Sequence, residues 1–425
     1  MRKKYSITEY SSFIAGKQVE GYETLPQTVF EQLETFLLTN RSRDTDALEL
    51  MGLSAKKGLG KVITAKNYVG VLTMKDGTNI EILPKIYLGS SYSKGQVKKL
   101  LVDMLKTLRN SPYKTLQSTG VDLEKMDIFE VFIRMFLDEA LVIAKRGLKS
   151  GYETVCSNEN FFKGKLIFAE QIKYNYAHKE RAYVEHDEFS NNRPENRLLK
   201  STLLYLYKLT VSNKNKADLK TLMNVFAEVP PSDNYTGDFA KSVSDRNMKD
   251  YTNALRWCKV FLTGKSFTSY SGSEVALALL FPMDTLFESY IAAQLKKVLG
   301  AEKYWVSTQD KTYHLFTLPD KKFQMQPDIV VHRKKDGAVF VCDTKWKLLA
   351  DGKTNYGISQ ADMYQMYAYQ KKYGAKSITL LYPLTKQVTD TKMEYKSEDG
   401  FIVRIRFVDL LDVKNSLASI AREFA

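Results

Sequence analysis

The sequence predicts a mixed α and β protein of three parts: an N-terminal α+β module over residues 1–122, a mainly helical middle over residues 123–272 and a C-terminal α/β domain over residues 273–425. Three observations carry this. Residues 61–84 hold closely spaced β-branched runs around an Asp76-Gly77 turn signal. Residues 126–211 hold long apolar stripes at helical spacing. Residues 283–383 alternate helical patterns with short strand-like runs, as expected when strands are linked through helices. A chain of 425 residues is also too long to close around one core.

In the N-terminal part, residues 26–40 place Val29, Phe30, Leu33, Phe36 and Leu37 on one side of an amphipathic helix. The runs KVITA, NYVGVLTM and TNIEILP follow as strands, the last two joined at Asp76-Gly77. No catalytic constellation is found here. The basic, glycine-rich stretch SAKKGLGK at 54–61 is not a phosphate-binding loop, because its spacing is wrong and Val62 follows the lysine. Gly264-Lys265-Ser266 fails too, since position 259 is Lys. The chain shows no nucleotide-binding motif of its own, so any nucleotide dependence has to come from a partner.

In the middle, residues 126–149 present Phe129, Phe132, Ile133, Phe136, Leu137 and Ala140 as a stripe that is core more often than interface. Gly147 and Gly151 mark its end. Residues 152–167 carry strand-like runs around Lys163-Gly164-Lys165. Residues 193–211 read as a helix whose Glu195, Asn196 and Arg197 mainly fix its start, with partner contact as the weaker alternative. Lys214, Lys216 and Lys220 read as a solvated face, and residues 251–262 as a further helix. Residues 263–273, rich in Gly and Ser, are the most linker-like stretch.

The C-terminal part opens with a helical stripe over Met283–Leu299, with Asp284 as its N-cap. Glu288 sits at the edge of the stripe. It is either an ordinary glutamate favoured by the helix dipole or a third acidic group facing a metal. Residues 326–347, QPDIVVHRKKDGAVFVCDTKWK, read as two strands joined at Lys335-Asp336-Gly337. Asp328 opens the first strand, and Asp343 and Lys345 close the second. Alternation puts Asp343 and Lys345 on one face and Cys342 and Thr344 on the other. Adjacent strands would then bring two carboxylates and an ammonium together beside a buried strand, which is costly unless they hold something. Two carboxylates suit Mg²⁺. A lysine beside it would orient water or neutralise a phosphate. The plain alternative is a turn aspartate after Pro327 and a surface ion pair at D-x-K. In the helical pattern at 361–373, Gln365 and Tyr369 share a face. A tyrosine-rich core helix is the other reading, and it fits Met366 and Tyr373 better than Gln365. Residues 377–383 give a buried strand and 392–408 a last hairpin.

Glu288, Pro327-Asp328, Asp343-Thr344-Lys345 and Gln365-x-x-x-Tyr369 together resemble the PD-(D/E)xK nuclease superfamily, in its branch with a Gln-x-x-x-Tyr helix. The longer series MDTLFE (283–288), QPDI (326–329), DTKWK (343–347) and DMYQM (362–366) resembles the McrC family, the nuclease subunits of McrBC-type restriction systems for modified DNA. FKGKL (162–166) and NRPENRLLK (192–200) are similar to further segments of that family, so the resemblance covers about residues 155–385. It implies a restriction-endonuclease-like C-terminal domain and Mg²⁺-dependent hydrolysis of DNA phosphodiesters. Asp328 and Asp343 would ligate the metal, and Glu288 would hold it directly or through water. Lys345 would position the attacking water and stabilise the transition-state charge. Gln365 would support substrate or site, with Tyr369 a weaker companion. Trp346 and Lys347 either touch the DNA backbone or cover the sheet. The resemblance also implies a hexameric McrB-type AAA+ GTPase as partner, which this chain caps and stimulates, the N-terminal module serving as the dock. Dimerisation would serve double-strand cleavage.

Composition agrees with that direction. The formal charge is +14, which favours a polyanionic partner, nucleic acid being the commonest. Cys156, Cys258 and Cys342 are odd in number and far apart, so no disulfide framework is expected. The four histidines form no zinc spacing. The longest apolar stretch, 275–283, is too short to span a bilayer, and MRKKYSITEY lacks the apolar core of a signal peptide. No membrane association and a cytoplasmic location are expected. Two other classes stay open: a self-sufficient or helicase-coupled repair nuclease, and a catalytically silent adaptor.

Overall fold

The computed structural model describes residues 3–39, 47–74, 76–85, 93–108, 127–242, 248–263 and 275–425. The expected boundaries at 122/123 and 272/273 lie outside the described residues, as does the Gly264-Lys265-Ser266 segment. The chain forms two compact units. One takes in Met1–Lys114, Gly120–Ile128 and Ser266–Ala425, and the other Thr115–Thr119 and Phe129–Lys265. The two ends of the chain therefore belong to the same unit.

In the first unit, a four-stranded sheet has the order Lys4–Thr8, Asn79–Leu83, Tyr68–Met74, Val275–Pro282. The Asp76-Gly77 turn joins two of these strands as expected, with Gly77 N donating to Met74 O at 2.9 Å. The apolar run at 275–283 is the outer strand, antiparallel to Tyr68–Met74 and separated from it by some two hundred residues of chain. Gly70 makes this approach possible. Its φ is +137°, and a Cβ there would lie 2.0 Å from Leu279 O. A second sheet orders Glu23–Leu25, Ser12–Ala15, Gly60–Ala65, Met51–Lys56. Helix Gln27–Thr39 buries the five apolar residues expected, in one cluster with Phe13, Leu72, Ile80 and Leu280. Burying each such side chain stabilises by about 1.5–3 kcal/mol. Helix Lys94–Leu105, not foreseen, starts at a capping box between Ser93 and Gln96.

The C-terminal part of this unit is a six-stranded sheet in the order Tyr304–Thr308, Ile329–Arg333, Val339–Thr344, Ser377–Pro383, Ile402–Val408, Glu394–Lys396. Helix Gln360–Tyr373 connects Val339–Thr344 to its parallel neighbour Ser377–Pro383, the crossover expected from the sequence. Every residue of Ser377–Pro383 is buried, as a strand with both faces covered requires. Val330, Val341, Ile378 and Leu380 pack with Met366, Tyr369 and Tyr373 of that helix. Helix Met283–Leu299 packs against strand Val339–Thr344 and against helix Val413–Ala421.

The second unit is mainly helical, with a three-stranded antiparallel sheet of Gly151–Glu159, Ala182–Ser190 and Lys165–Leu166. The stripe of Ile128–Arg146 is buried at Phe129, Phe132, Ile133, Phe136, Leu137 and Ala140, and Trp257 meets Phe132 at 6.1 Å. Glu195 and Asn196 are buried at the start of helix Pro194–Leu209. Asn196 donates to Lys149 O and Asn191 O, and Arg197 pairs with Asp238 at 2.9 Å. The polar triplet does the structural work expected of it. Lys214, Lys216 and Lys220 are exposed on helix Asn213–Val225. Among the described residues, no helix is long and apolar enough to cross a membrane.

Candidate active site

The register Ile329↔Cys342 and Val330↔Val341, continued one step, sets Asp328 opposite Asp343 at the strand ends. The pleat puts both on the face of Val330 and Val341, the face covered by helix Gln360–Tyr373. Asp343 is 2% exposed. Lys345 Nζ lies 2.6 Å from Asp343 Oδ2 and 3.8 Å from Asp362 Oδ1. It also donates to Gln365 Oε1 at 3.4 Å. Gln365 Nε2 donates to the Tyr369 hydroxyl at 2.8 Å, so the two share a helix face as expected. Asp328, Asp343, Lys345 and Gln365 are thus brought to one place.

Two expectations change in detail. Strict alternation sent Thr344 to the opposite face. At the end of the strand, its N–H and hydroxyl both turn to Asp328 Oδ2, at 2.8 and 2.6 Å. Asp284 was expected as an N-cap. Pro282 occupies that position, because strand Val275–Pro282 runs directly into the helix, and Asp284 sits in the first turn and accepts from Asn67 Nδ2.

Glu288 reaches the pair through an amide. The side-chain amide of Gln309 donates to Glu288 and also reaches Asp328 Oδ1 at 3.4 Å. That amide bridges the two acids. Among the described residues, no three His, Cys, Asp or Glu side chains converge as a metal-holding group. A cavity of about 660 Å³ opens beside Glu288 and Gln309, with Thr285, Ser289, Lys296 and Ser307 in its walls.

The electrostatics follow from burial. Burial pushes the Asp343 carboxyl up to about 7, and the charge of Asp328 adds to the push while Lys345 opposes it. Burial also raises Asp328, against the two donors of Thr344. Burial works to lower the Lys345 ammonium, but Asp343, with help from Asp362 and Asp328, raises it. Lys345 therefore stays protonated between two acids that repel each other. Asp343 Oδ2 is buried and receives no well-directed hydrogen bond, the Lys345 ammonium standing beside it. This oxygen-rich, under-neutralised pair fits Mg²⁺, which binds through one or two carboxylates and keeps several waters.

Four further residues were given no site role by the sequence reading. Thr344 and Gln309 orient Asp328. Asp362 lies between Lys345 and Lys347, 3.4 Å from the latter, and its place one turn before Gln365 was the signal that pointed to it. Glu9 accepts from Trp346 Nε1 at 2.7 Å, and Trp346 packs on Phe287 at 5.2 Å. Trp346 is buried, so of its two open readings the structure matches the one in which it covers the sheet.

Residues 63–383 match the family described as McrBC 5-methylcytosine restriction system component. The chain belongs to that family. It is similar to McrC in a refined half-complex from the tetradecameric assembly of Thermococcus gammatolerans McrB AAA+ hexamers with bound McrC. That match has 19% identity and a TM-score of 0.67, and covers 98% of this chain and 100% of the other. A chain of the Thermococcus gammatolerans McrBC complex solved by cryo-electron microscopy matches at 19% identity and a TM-score of 0.48, over 70% of this chain and 88% of the other. No curated protein matches. Family membership and shared fold make the chain McrC-like.

Proposed function

We propose that this chain is the Mg²⁺-dependent endonuclease subunit of a McrBC-type restriction system. Its C-terminal sheet would be a PD-(D/E)xK domain that cuts DNA phosphodiester bonds. The observation that carries the reading is the meeting of Asp328 and Asp343 at two strand ends, with Lys345 Nζ 2.6 Å from Asp343 and held to Gln365. Surface ion pairs rarely bury a second, repelling carboxylate.

Asp328 and Asp343 would hold the metal. Once bound, Mg²⁺ would supply Lewis-acid stabilisation of the phosphate and a more acidic water. Lys345 keeps its proton and offers a cation where the pentavalent phosphate gathers charge. Gln365, fixed by Tyr369, limits the swing of the lysine, and Asp362 shares it with Lys347. Glu288 acts through Gln309, holding that amide against Asp328.

The McrC of the Thermococcus assembly is bound to McrB AAA+ hexamers. A partner of that kind would supply the nucleotide hydrolysis for which this sequence has no motif, with docking through residues 1–122 and dimerisation for double-strand cuts. The test is cleavage of methylated and unmethylated plasmid with Mg²⁺, with and without an AAA+ partner and GTP. Asp343→Ala is the control. Cutting only with partner and GTP, lost in the variant, is the expected result. Cutting without a partner would make the chain a self-sufficient nuclease. No cutting under any condition would make it an adaptor.

A further inference from the structure

Just before Pro327-Asp328 the chain makes a small hairpin, His314–Phe316 antiparallel to Lys322–Gln324. Its base is tied down. Met325 N donates to Tyr313 O at 2.9 Å, and Gln324 Nε2 donates to Lys311 O at 3.1 Å. The Tyr313 ring meets Tyr373 edge-on at 4.7 Å, and the Tyr373 hydroxyl donates to Asp310 Oδ1 at 3.0 Å. The far end is bare. Phe316, Leu318 and Phe323 are 54%, 84% and 71% exposed. The two phenylalanine rings meet edge-to-face at 5.9 Å. Phe323 has φ +56°, a region that a bulky side chain rarely adopts and that marks functional positions when the surroundings hold it.

Charge says what such a tip would meet. Residues 311–324 carry three lysines, Lys311, Lys321 and Lys322, against the single Asp320. Apolar wedges flanked by lysines suit a polyanion with stacked bases better than an apolar protein surface. Distance says where on it. Phe323 lies five positions before Asp328, so at full extension their Cα atoms stand at most ~17 Å apart, about five base-pair rises.

We infer that this hairpin is a DNA wedge: Phe316, Leu318 and Phe323 enter a groove next to the scissile phosphate and part or stack on a base step, while Lys311, Lys321 and Lys322 take the flanking phosphates. The inference rests on the nuclease reading above. It adds a contact that grips and deforms the duplex beside the cut.

The experiment uses the full chain with its AAA+ partner and GTP, in an Asp343→Ala background, so that binding is read without cutting. Affinity for a fluorescent duplex is measured by anisotropy across a salt series, with and without Phe316→Ala and Phe323→Ala together. The double variant is expected to bind roughly tenfold or more weakly, with the same salt slope, since stacking is lost and lysines are kept. Lys321→Ala with Lys322→Ala is expected to flatten the slope by about 2. A 2-aminopurine placed within the reachable base pairs should brighten with the parent hairpin only. Equal affinity of parent and double variant would overturn the wedge and leave the nuclease reading untouched. Unchanged affinity with a loss of self-association in sedimentation would assign the tip to a second copy, which also overturns it. If the parent itself binds no duplex, the nuclease reading fails first and takes the wedge with it.

Discussion

Glu9→Gln is expected to change how the protein's stability depends on pH. Glu9 is 0% exposed, and its Oε1 accepts from Trp346 Nε1 at 2.7 Å and from Lys85 N at 2.8 Å. Its other oxygen is buried with no hydrogen-bond partner. Burial pushes the carboxyl from its ordinary 4.5 up to about 7, against the lowering effect of the two donors. The folded chain thus keeps this proton up to about pH 7, whereas the unfolded chain releases it near 4.5. Between those values the folded state binds more protons, so its stability falls as pH rises, and the loss is complete above the folded value. At 1.36 kcal/mol per pH unit of that gap, the loss between pH 5 and pH 8 is about 2.5 kcal/mol. Glutamine keeps an acceptor for both donors and has no proton to lose. The variant and the parent should therefore differ by a small constant near pH 5, and the variant should gain on the parent by about 2.5 kcal/mol at pH 8. In scanning calorimetry this is a melting-temperature difference that widens by roughly 5 °C between the two buffers. Subtracting the parent removes the titration of all other groups. A difference that stays constant with pH would show that Glu9 is ionised in the folded chain at pH 5, and the reasoning would fail.

Three other outcomes are expected. Lys345→Ala should slow cleavage by about 10²–10³-fold, with duplex affinity changed by less than about tenfold, because in the proposed mechanism its charge is aimed at the transition state; single-turnover rates beside binding curves decide this. Asp362→Asn removes an acid that helps to raise the Lys345 ammonium. The alkaline limb of the pH–rate profile should then move to lower pH, and an unmoved limb would detach Asp362 from the lysine. Gly70→Ala forces a Cβ to within 2.0 Å of Leu279 O at a positive φ, and should cost more than about 3 kcal/mol, seen as a collapse of the melting temperature or of soluble yield; a melting point within 2 °C or so of the parent would refute the close approach.

What could be read from the sequence was mostly local. Asp328, Asp343 and Lys345 were legible because one short turn sets the register of the two strands that carry them, and register determines which side chains meet. Gln365 and Tyr369 were legible because a helix fixes the distance between positions four apart. Helix Gln27–Thr39 matched to the residue on its buried face for the same reason. The misses that matter most for the scaffold are partners from far away, while Thr344 and Asp284 were local ones, turned at a strand end and displaced by a strand running straight into its helix. Strand Val275–Pro282 has no alternation to betray it, since its described residues face protein on both sides, and its neighbour Tyr68–Met74 lies far up the chain. Gln309 follows the edge strand Tyr304–Thr308, where no pattern distinguishes it from a surface glutamine. Glu9 meets Trp346 across 337 positions, a pairing that only the folded chain reveals. Glu288 was placed on the right helix at the right edge, but a single sequence says nothing of the Gln309 amide between it and Asp328.

The strand Val275–Pro282 does more than complete a sheet. It leads without a loop into the helix that carries Glu288, so this acid is hung from a ladder whose other rungs come from residues 68–74. A clone that begins at the apparent linker would carry the acids and the lysine but leave that ladder one-sided, with a bare edge and no Glu9 under Trp346. Such a fragment should aggregate or lie idle for want of its beginning, and supplying residues 1–122 as a separate chain should restore it. Heredity would feel the same constraint: the half that carries Asp328, Asp343 and Lys345 would not move onto another protein by a single crossover, because the scaffold beneath it is written in two distant stretches of sequence.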